Sequence, residues 1–87
     1  MKVICDDKVI DLNKFDTVGC RESWIGEGFP VEAKRREAGG LFGAEVITEE
    51  ICRMKTMEYA EKVVKKITES WINEEKSIIV GELIKKL

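Results

Sequence analysis

Apolar residues in the second half of the chain recur every three or four positions. This spacing brings side chains to one face of an α-helix, and glutamates and lysines fill most of the positions between them. Thr56 precedes the pattern and suits a helix N-cap, because its side-chain oxygen accepts a hydrogen bond from a free backbone amide. The pattern therefore predicts an amphipathic helix over 57–72. Its apolar face consists of Met57, Ala60, Val64, Ile67 and Trp71, with Val63 beside them.

A second, shorter apolar pattern closes the chain. Its members repeat at the i, i+3, i+4 and i+7 spacing of a helix, which predicts a short C-terminal helix after a break over 73–77. Lys85 and Lys86 fall at its C-terminal end, where the helix dipole favours positive charge. The apolar members are Val80, Leu83, Ile84 and Leu87.

The first half of the chain has shorter apolar runs with turn residues between them, as is typical of β-strands. Asp6 and Asp7 suit a tight turn between the first two runs, because aspartate side chains bond to nearby backbone amides. The only proline and two glycines indicate a loop over 23–30, and three glycines indicate a turn over 39–43. The predicted strands are 2–5, 8–12, 15–22 and 31–37.

The segment 45–54 fits two structures. As a helix it would join the long predicted helix, with Thr48 as its N-cap. As a strand it would pair with 31–37 across the glycine-rich turn. We favour the strand, because a helix from Thr48 to Trp71 is unusually long for so small a domain and because 31–37 needs a partner. In this hairpin we expect Glu37 beside Glu45, and Arg35 and Arg36 beside Val46 and Ile47.

These elements together predict an α+β fold in one domain, 1–87, with mainly β structure in 1–54 and helices in 56–87. An antiparallel sheet of about four strands, built from hairpins, packs against the long helix, and the short helix lies beside it. One sheet face must then cover the apolar faces of both helices. We expect part of this surface to remain exposed and to mediate self-association. The candidate residues are Trp71, Val80, Leu83, Ile84 and Leu87.

The composition argues against several classes of function. The 87 residues carry a net charge of −2 and include no histidine, the commonest metal ligand and general base. The segment 1–10 lacks the apolar core of a signal peptide, and no apolar run has the roughly 18 residues of a membrane span. We therefore expect a cytoplasmic protein without a membrane partner, or one in a virion or host cytoplasm if the source is viral.

The chain has no glutamine and only two asparagines, whereas lysine, glutamate and isoleucine are abundant. Amides are thermolabile and ion-pair networks gain value at high temperature, so this bias favours a thermophilic source. A compositional accident in a short chain is the alternative.

Three cysteines, Cys5, Cys20 and Cys52, are widely spaced and form no C-x-x-C pair, which argues against a disulfide scaffold or a zinc site. Arg21 and Arg53 follow two of them, and a cationic neighbour can activate a thiol. Adjacent residues of a strand face opposite sides, however, so buried and inert cysteines are the favoured interpretation.

The basic run Lys34, Arg35 and Arg36 is a candidate nucleic-acid contact, with Trp24 from the preceding loop as a stacking partner. The alternative is a solvated strand edge, where charges deter edge-to-edge association. Trp24 itself fits either a contact site or a loop that folds over a thin core.

Other motifs favour structural roles. The glycines of 39–43 are followed by Ala44 and Glu45 rather than by the lysine and hydroxyl residue of a phosphate-binding loop, so a hairpin turn is the better interpretation. Paired carboxylates such as Glu49 and Glu50 come without the further oxygen ligands of a calcium loop. We expect no metal and no cofactor.

The sequence therefore favours a small, non-enzymatic interaction or assembly module that self-associates, with a homodimer as the expected partner state. A nucleic-acid-binding protein that uses 34–36 is the alternative. A small cysteine-dependent enzyme or nucleotide sensor is the third hypothesis.

Overall fold

A computed structural model describes residues 1–23, 26–39 and 43–87. Within these ranges the chain forms six strands, two α-helices and one short 3₁₀ helix at Leu12–Lys14, and the α+β class is confirmed. In chain order the elements are β1 (Lys2–Cys5), β2 (Lys8–Asp11), β3 (Thr17–Cys20), β4 (Phe29–Ala38), β5 (Ala44–Met54), α1 (Met57–Ile72), β6 (Ser77–Ile79) and α2 (Val80–Lys85).

The first sheet has the strand order β2-β1-β6. β1 and β2 form the predicted antiparallel hairpin around Asp6 and Asp7, and Asp6 has a φ of 52°, which aspartate tolerates better than most residues. β6 pairs with β1 in parallel. The prediction of one antiparallel sheet of about four strands is therefore wrong, because the described strands form two three-stranded sheets and one of them is mixed.

The second sheet is antiparallel and has the order β3-β4-β5. Its longest pairing, between β4 and β5, confirms that 45–54 is a strand. The predicted register is also confirmed, since Glu37 lies opposite Glu45, Arg35 opposite Ile47 and Arg36 opposite Val46. Nearer the other end of this strand pair, a bulge between Val31 and Glu32 shifts the register.

β4 and β5 continue beyond the end of β3. The last pair of β3 is Thr17 with Lys34, whereas β4 and β5 remain paired as far as Ala38 and Ala44. We call this two-stranded extension, together with the Lys34–Thr48 pair at its base, the ribbon, residues 34–38 and 44–48. It carries all three residues of the basic run.

Helix α1 packs across the second sheet and begins and ends where the apolar pattern predicted. The Thr56 hydroxyl oxygen accepts a hydrogen bond from the backbone N–H of Tyr59 at 3.2 Å, as expected of an N-cap. The buried face is centred on Ala60, Val63 and Ile67, with Val64 half-buried at its side. The helix is thus rotated slightly from the predicted face, which placed Val64 at the centre.

Helix α2 packs against β1 and against α1. Val80 and Leu83 are buried there and belong to the same apolar core as α1. The expectation that one sheet face must cover both helices is therefore wrong, because a second sheet exists. Each helix has a sheet beside it, and the core is shared between them.

No helix in the described ranges is both long enough and apolar enough to cross a bilayer.

Candidate functional site

The second sheet has two unlike faces. α1 covers one face, and we call the opposite one the outer face. Alternation along the strands, together with the observed register, assigns the outer positions. They are Thr17 and Gly19 on β3, Glu32, Lys34, Arg36 and Ala38 on β4, and Ala44, Val46, Thr48 and Glu50 on β5.

One end of the outer face carries a row of ion pairs. Arg21 donates two hydrogen bonds to the Glu32 carboxylate, at 2.9 and 3.3 Å, and Arg53 donates one to Glu50 at 2.9 Å. Glu32 and Glu50 are Cα partners across β4 and β5, so the two carboxylates face each other. Like charges in this arrangement repel, and the flanking arginines offset the repulsion.

The loop before β4 lies over this end of the sheet. Arg53 also donates to the Ser23 hydroxyl oxygen and to the Glu27 carbonyl, at 3.3 and 3.2 Å. Gly28 has a φ of +93°, and a Cβ there would lie 2.8 Å from the Met54 carbonyl oxygen. Close packing and positive φ thus both require glycine. Trp24, the predicted stacking residue of this loop, lies outside the described residues.

The other end of the outer face, toward the ribbon, carries the basic run. Lys34 and Arg36 lie on the outer face, whereas Arg35 lies on the inner one. The Arg35 guanidinium is 5.7 Å from the centre of the Phe15 ring and 3.7 Å from the Glu37 carboxylate. The structure therefore brings Lys34 and Arg36 together and separates Arg35 from them.

A surface concavity of about 420 Å³ lies beside the basic run. Asp16 immediately precedes β3, and its carboxylate accepts a hydrogen bond from the Arg36 backbone N–H at 2.9 Å. The Asp16 N–H donates to the Lys34 carbonyl at 2.8 Å, so Asp16 extends the ladder of β3 by one residue. The lining residues are Asp16, Thr17, Lys34, Arg35, Arg36 and Val46.

The three cysteines are free thiols on partly buried sites. Burial raises the pKa of Cys52 to about 12, with smaller contributions from Cys5 and Glu50. Burial also raises the pKa of Cys20, and the negative charge of the Glu61 carboxylate raises it further by a smaller amount. For Cys5, burial and Asp6 raise the pKa, and Lys8 partly opposes them.

The arginines that follow two cysteines do not activate them. Arg21 and Arg53 reach carboxylates on the outer face, whereas the Cys20 sulfur lies 3.8 Å from the Met57 sulfur on the helix side of the sheet. A thiol with a raised pKa is a poor nucleophile at neutral pH, since the thiolate is the reactive form.

A groove of about 600 Å³ lies between the end of α1, β6 and α2, and we call it the C-terminal groove. Its apolar lining consists of Ile78, Ile79, Leu83 and Leu87. Its polar lining consists of Lys66, Glu69, Ser70, Asn73, Glu75, Ser77, Glu82 and Lys86.

The five residues predicted for self-association have different positions. Leu83 and Leu87 line the C-terminal groove, although Leu83 is largely buried. Val80 is buried in the core, and Ile84 is exposed on α2. Trp71 is half-buried and lines a separate cavity of about 540 Å³ beside Met1 and Asn13.

The sequence reasoning missed Ile78 and Ile79. They belong to a run of three β-branched residues, Ile78 to Val80, which is a strand signal. The helical spacing that begins at Val80 concealed it.

Among the described residues, no group of three or more cysteine, aspartate or glutamate side chains is placed to hold a metal ion. No protein-family model, no curated protein and no solved structure matches the chain.

Proposed function

We propose that this chain is a small, non-enzymatic interaction module that forms homodimers through the C-terminal groove. The observation that carries the proposal is the combination, in one place, of a partly exposed apolar lining, an unpaired strand edge and charges of both signs.

The strand edge is the first part of the argument. β6 is an outer strand of its sheet, and no strand in the described ranges pairs along its far side. An open edge presents backbone donors and acceptors that a second strand can satisfy, and strand addition is a common mode of protein association. Charged residues and prolines on an edge strand hinder the addition of a second strand, and β6 contains neither.

The apolar surface is the second part. Ile79 is 44% exposed at the end of β6, Ile84 is 37% exposed on α2, and Ile72 is 75% exposed at the end of α1. These are three of the six large hydrophobic residues that are exposed in the described ranges, and they come from one third of the chain. Of the three, only Ile79 lines the C-terminal groove, where it lies on the strand edge itself. An exposed apolar side chain on an open strand edge favours a contact surface there.

The charges favour a second copy as the occupant. A two-fold interface places a surface against itself, so it must be self-complementary. The C-terminal groove carries two lysines, Lys66 and Lys86, and three glutamates, Glu69, Glu75 and Glu82. Rotation about a two-fold axis can therefore place lysines opposite glutamates.

The size of the molecule allows such an interface. A standard interface buries about 800 Å² of each partner. The chain has an accessible surface of 6348 Å², so about an eighth of it would be covered.

The test compares two lysine substitutions on opposite edges of the same sheet. Ile79→Lys places a charge in the groove, whereas Val9→Lys places one on the exposed far edge, on β2. Light scattering coupled to size exclusion should give a dimer for the wild type and for Val9→Lys, and a monomer for Ile79→Lys. A dimer that survives Ile79→Lys and dissociates with Val9→Lys would overturn the proposed surface.

A cysteine-dependent activity has weaker support. Burial raises the pKa of all three thiols. The cationic side chain of Lys8 lowers the pKa of Cys5, but its effect is smaller than those of burial and Asp6. A thiol nucleophile requires the opposite environment.

A further inference from the structure

The ribbon has two faces of opposite charge. On the outer face, Lys34 and Arg36 lie opposite Thr48 and Val46, and the small residues Ala38 and Ala44 complete the tip. On the inner face, Glu37 and Glu45 are direct Cα partners, and Glu49 follows on the same side of β5. Arg35 also lies on the inner face, where it is paired with Glu37. The strand alternation thus leaves a net positive charge on the outer side and a net negative charge on the inner side.

Arg36 differs from the other arginines of the chain. Arg21, Arg35 and Arg53 each form an ion pair with a glutamate. Within the described residues, neither Arg36 nor Lys34 has such a partner. Their side chains therefore remain available to a negative group from outside the chain.

The concavity beside them has a positive lining in an acidic protein. Lys34, Arg35 and Arg36 line it together with the single carboxylate of Asp16, which already accepts the Arg36 backbone N–H. Because Arg35 is paired with Glu37, the positive charge offered there is that of Lys34 and Arg36. The C-terminal groove and the cavity beside Trp71 each contain at least as many carboxylates as cationic groups. Charge complementarity therefore favours an anionic ligand at the ribbon and not at the other two concavities.

The shape of the site favours a duplex. Lys34 and Arg36 are two residues apart on a strand, a spacing of about 7 Å, and the hydroxyl groups of Thr17 and Thr48 flank Lys34. Lysine, arginine and threonine are usual phosphate contacts. A two-stranded ribbon fits the major groove of B-form DNA, whereas the major groove of duplex RNA is too deep and narrow for side chains to read.

Single-stranded nucleic acid is the alternative ligand, and the test below compares it with duplex DNA. Proteins that bind single strands stack bases on aromatic rings. Among the described residues of the outer face there is no aromatic side chain, and Phe15 is covered by Arg35.

We propose that the outer face of the ribbon binds the phosphate backbone of duplex DNA through Lys34 and Arg36. The surface is separate from the C-terminal groove, so a dimer would present two such faces.

Fluorescence anisotropy with a labelled two-turn DNA duplex tests the proposal. Wild-type protein should bind at about 50 mM salt and weaken steeply as salt rises. Lys34→Ala/Arg36→Ala should lower the affinity about tenfold and reduce the salt slope by about 1.8, because two phosphate contacts are lost. Circular dichroism checks that each variant is folded.

Two controls match the charge change. Lys65→Ala/Lys85→Ala removes the same charge from exposed helix positions and should leave the affinity within about twofold. Arg35→Ala removes an arginine from the adjacent inner position and should weaken binding less than Arg36→Ala does.

Three results would overturn the proposal. They are the absence of wild-type binding at low salt, an equal loss of affinity in the helix control, and tighter binding to single-stranded DNA or duplex RNA of the same length than to duplex DNA.

Discussion

Glu32 is the only charged residue that is buried in the described part of the chain, with 4% of its surface exposed. Its carboxylate is stabilised by two hydrogen bonds from Arg21 and lies opposite the carboxylate of Glu50. A buried ion pair adds little net stability, but loss of one partner leaves an uncompensated charge. The position is therefore more sensitive to loss of the arginine than to replacement of the whole pair.

We expect Arg21→Ala to lower the free energy of unfolding by about 2 kcal/mol, since Arg21 is half exposed and the full cost of a buried pair is larger. Urea denaturation measures the change. The control is Arg21→Ala/Glu32→Gln, in which the buried group is neutral, and it should recover at least half of the loss. No recovery in the double variant would show that the arginine acts through packing alone.

Cys52 is a second residue whose environment makes a specific prediction. Its pKa of about 12 means that the thiol remains protonated at neutral pH. In a Cys5→Ser/Cys20→Ser variant, Cys52 should react with iodoacetamide at pH 8 about a hundredfold more slowly than a free thiol does. A rate equal to that of a free thiol would contradict the buried environment and restore the cysteine-dependent hypothesis.

The same shift affects stability at high pH. The folded state keeps the Cys52 proton up to a pH of about 12, whereas the unfolded state loses it near the ordinary value of 9.0. The unfolded state therefore binds fewer protons between these values, so the contribution of Cys52 to stability is full below pH 9 and declines above it.

At the scale of elements, the ends of α1 show how local signals define structure. Its start follows from Thr56 and its apolar spacing, both visible in the sequence. At its end, the N–H groups of Glu74 and Glu75 donate to the carbonyls of Trp71 and Ser70, in the pattern of a Schellman motif. Glu74 adopts a φ of 58° there, a position that glycine usually fills.

Glu74→Gly should therefore stabilise the protein by about 0.5–1 kcal/mol, because it relieves the left-handed backbone conformation. Glu75→Gly is the matched control, since that residue has no positive φ and its substitution should be destabilising. Thermal unfolding by circular dichroism measures both. A loss of stability in Glu74→Gly as large as that in Glu75→Gly would contradict the motif.

The strands differ in how far the sequence predicts them. The β1–β2 and β4–β5 hairpins have partners close in the chain and recognisable turn residues, so both their existence and the register of β4–β5 follow from local pattern. β6 has only three residues, and its partner β1 lies at the other end of the chain. Such a pairing depends on tertiary packing, so it cannot be predicted from the local sequence pattern.

For the candidate surfaces, the sequence indicates the residues but not the face on which each one lies. The basic run was visible in the sequence, but only the register shows that Arg35 turns toward Phe15 while Lys34 and Arg36 share the outer face. The apolar members of α2 were visible too, but the presence of a second sheet decides that Val80 is buried while Ile84 is not.

At the scale of the whole molecule, two small sheets and two helices share one apolar core. A chain of 87 residues buries a limited fraction of its surface, so its net stability is small and association with a second copy would add to it. We propose the β6 edge, with Ile79 on it, as the surface for such association. The ribbon, proposed to bind DNA, is formed by other residues.

Sedimentation velocity over a concentration series tests self-association through the C-terminal groove. We expect a species of twice the chain mass that dissociates on dilution, and Ile79→Lys should shift the midpoint of dissociation to at least about tenfold higher concentration. If the wild-type protein sediments as a monomer at every concentration, including the millimolar range, the proposed dimer does not form.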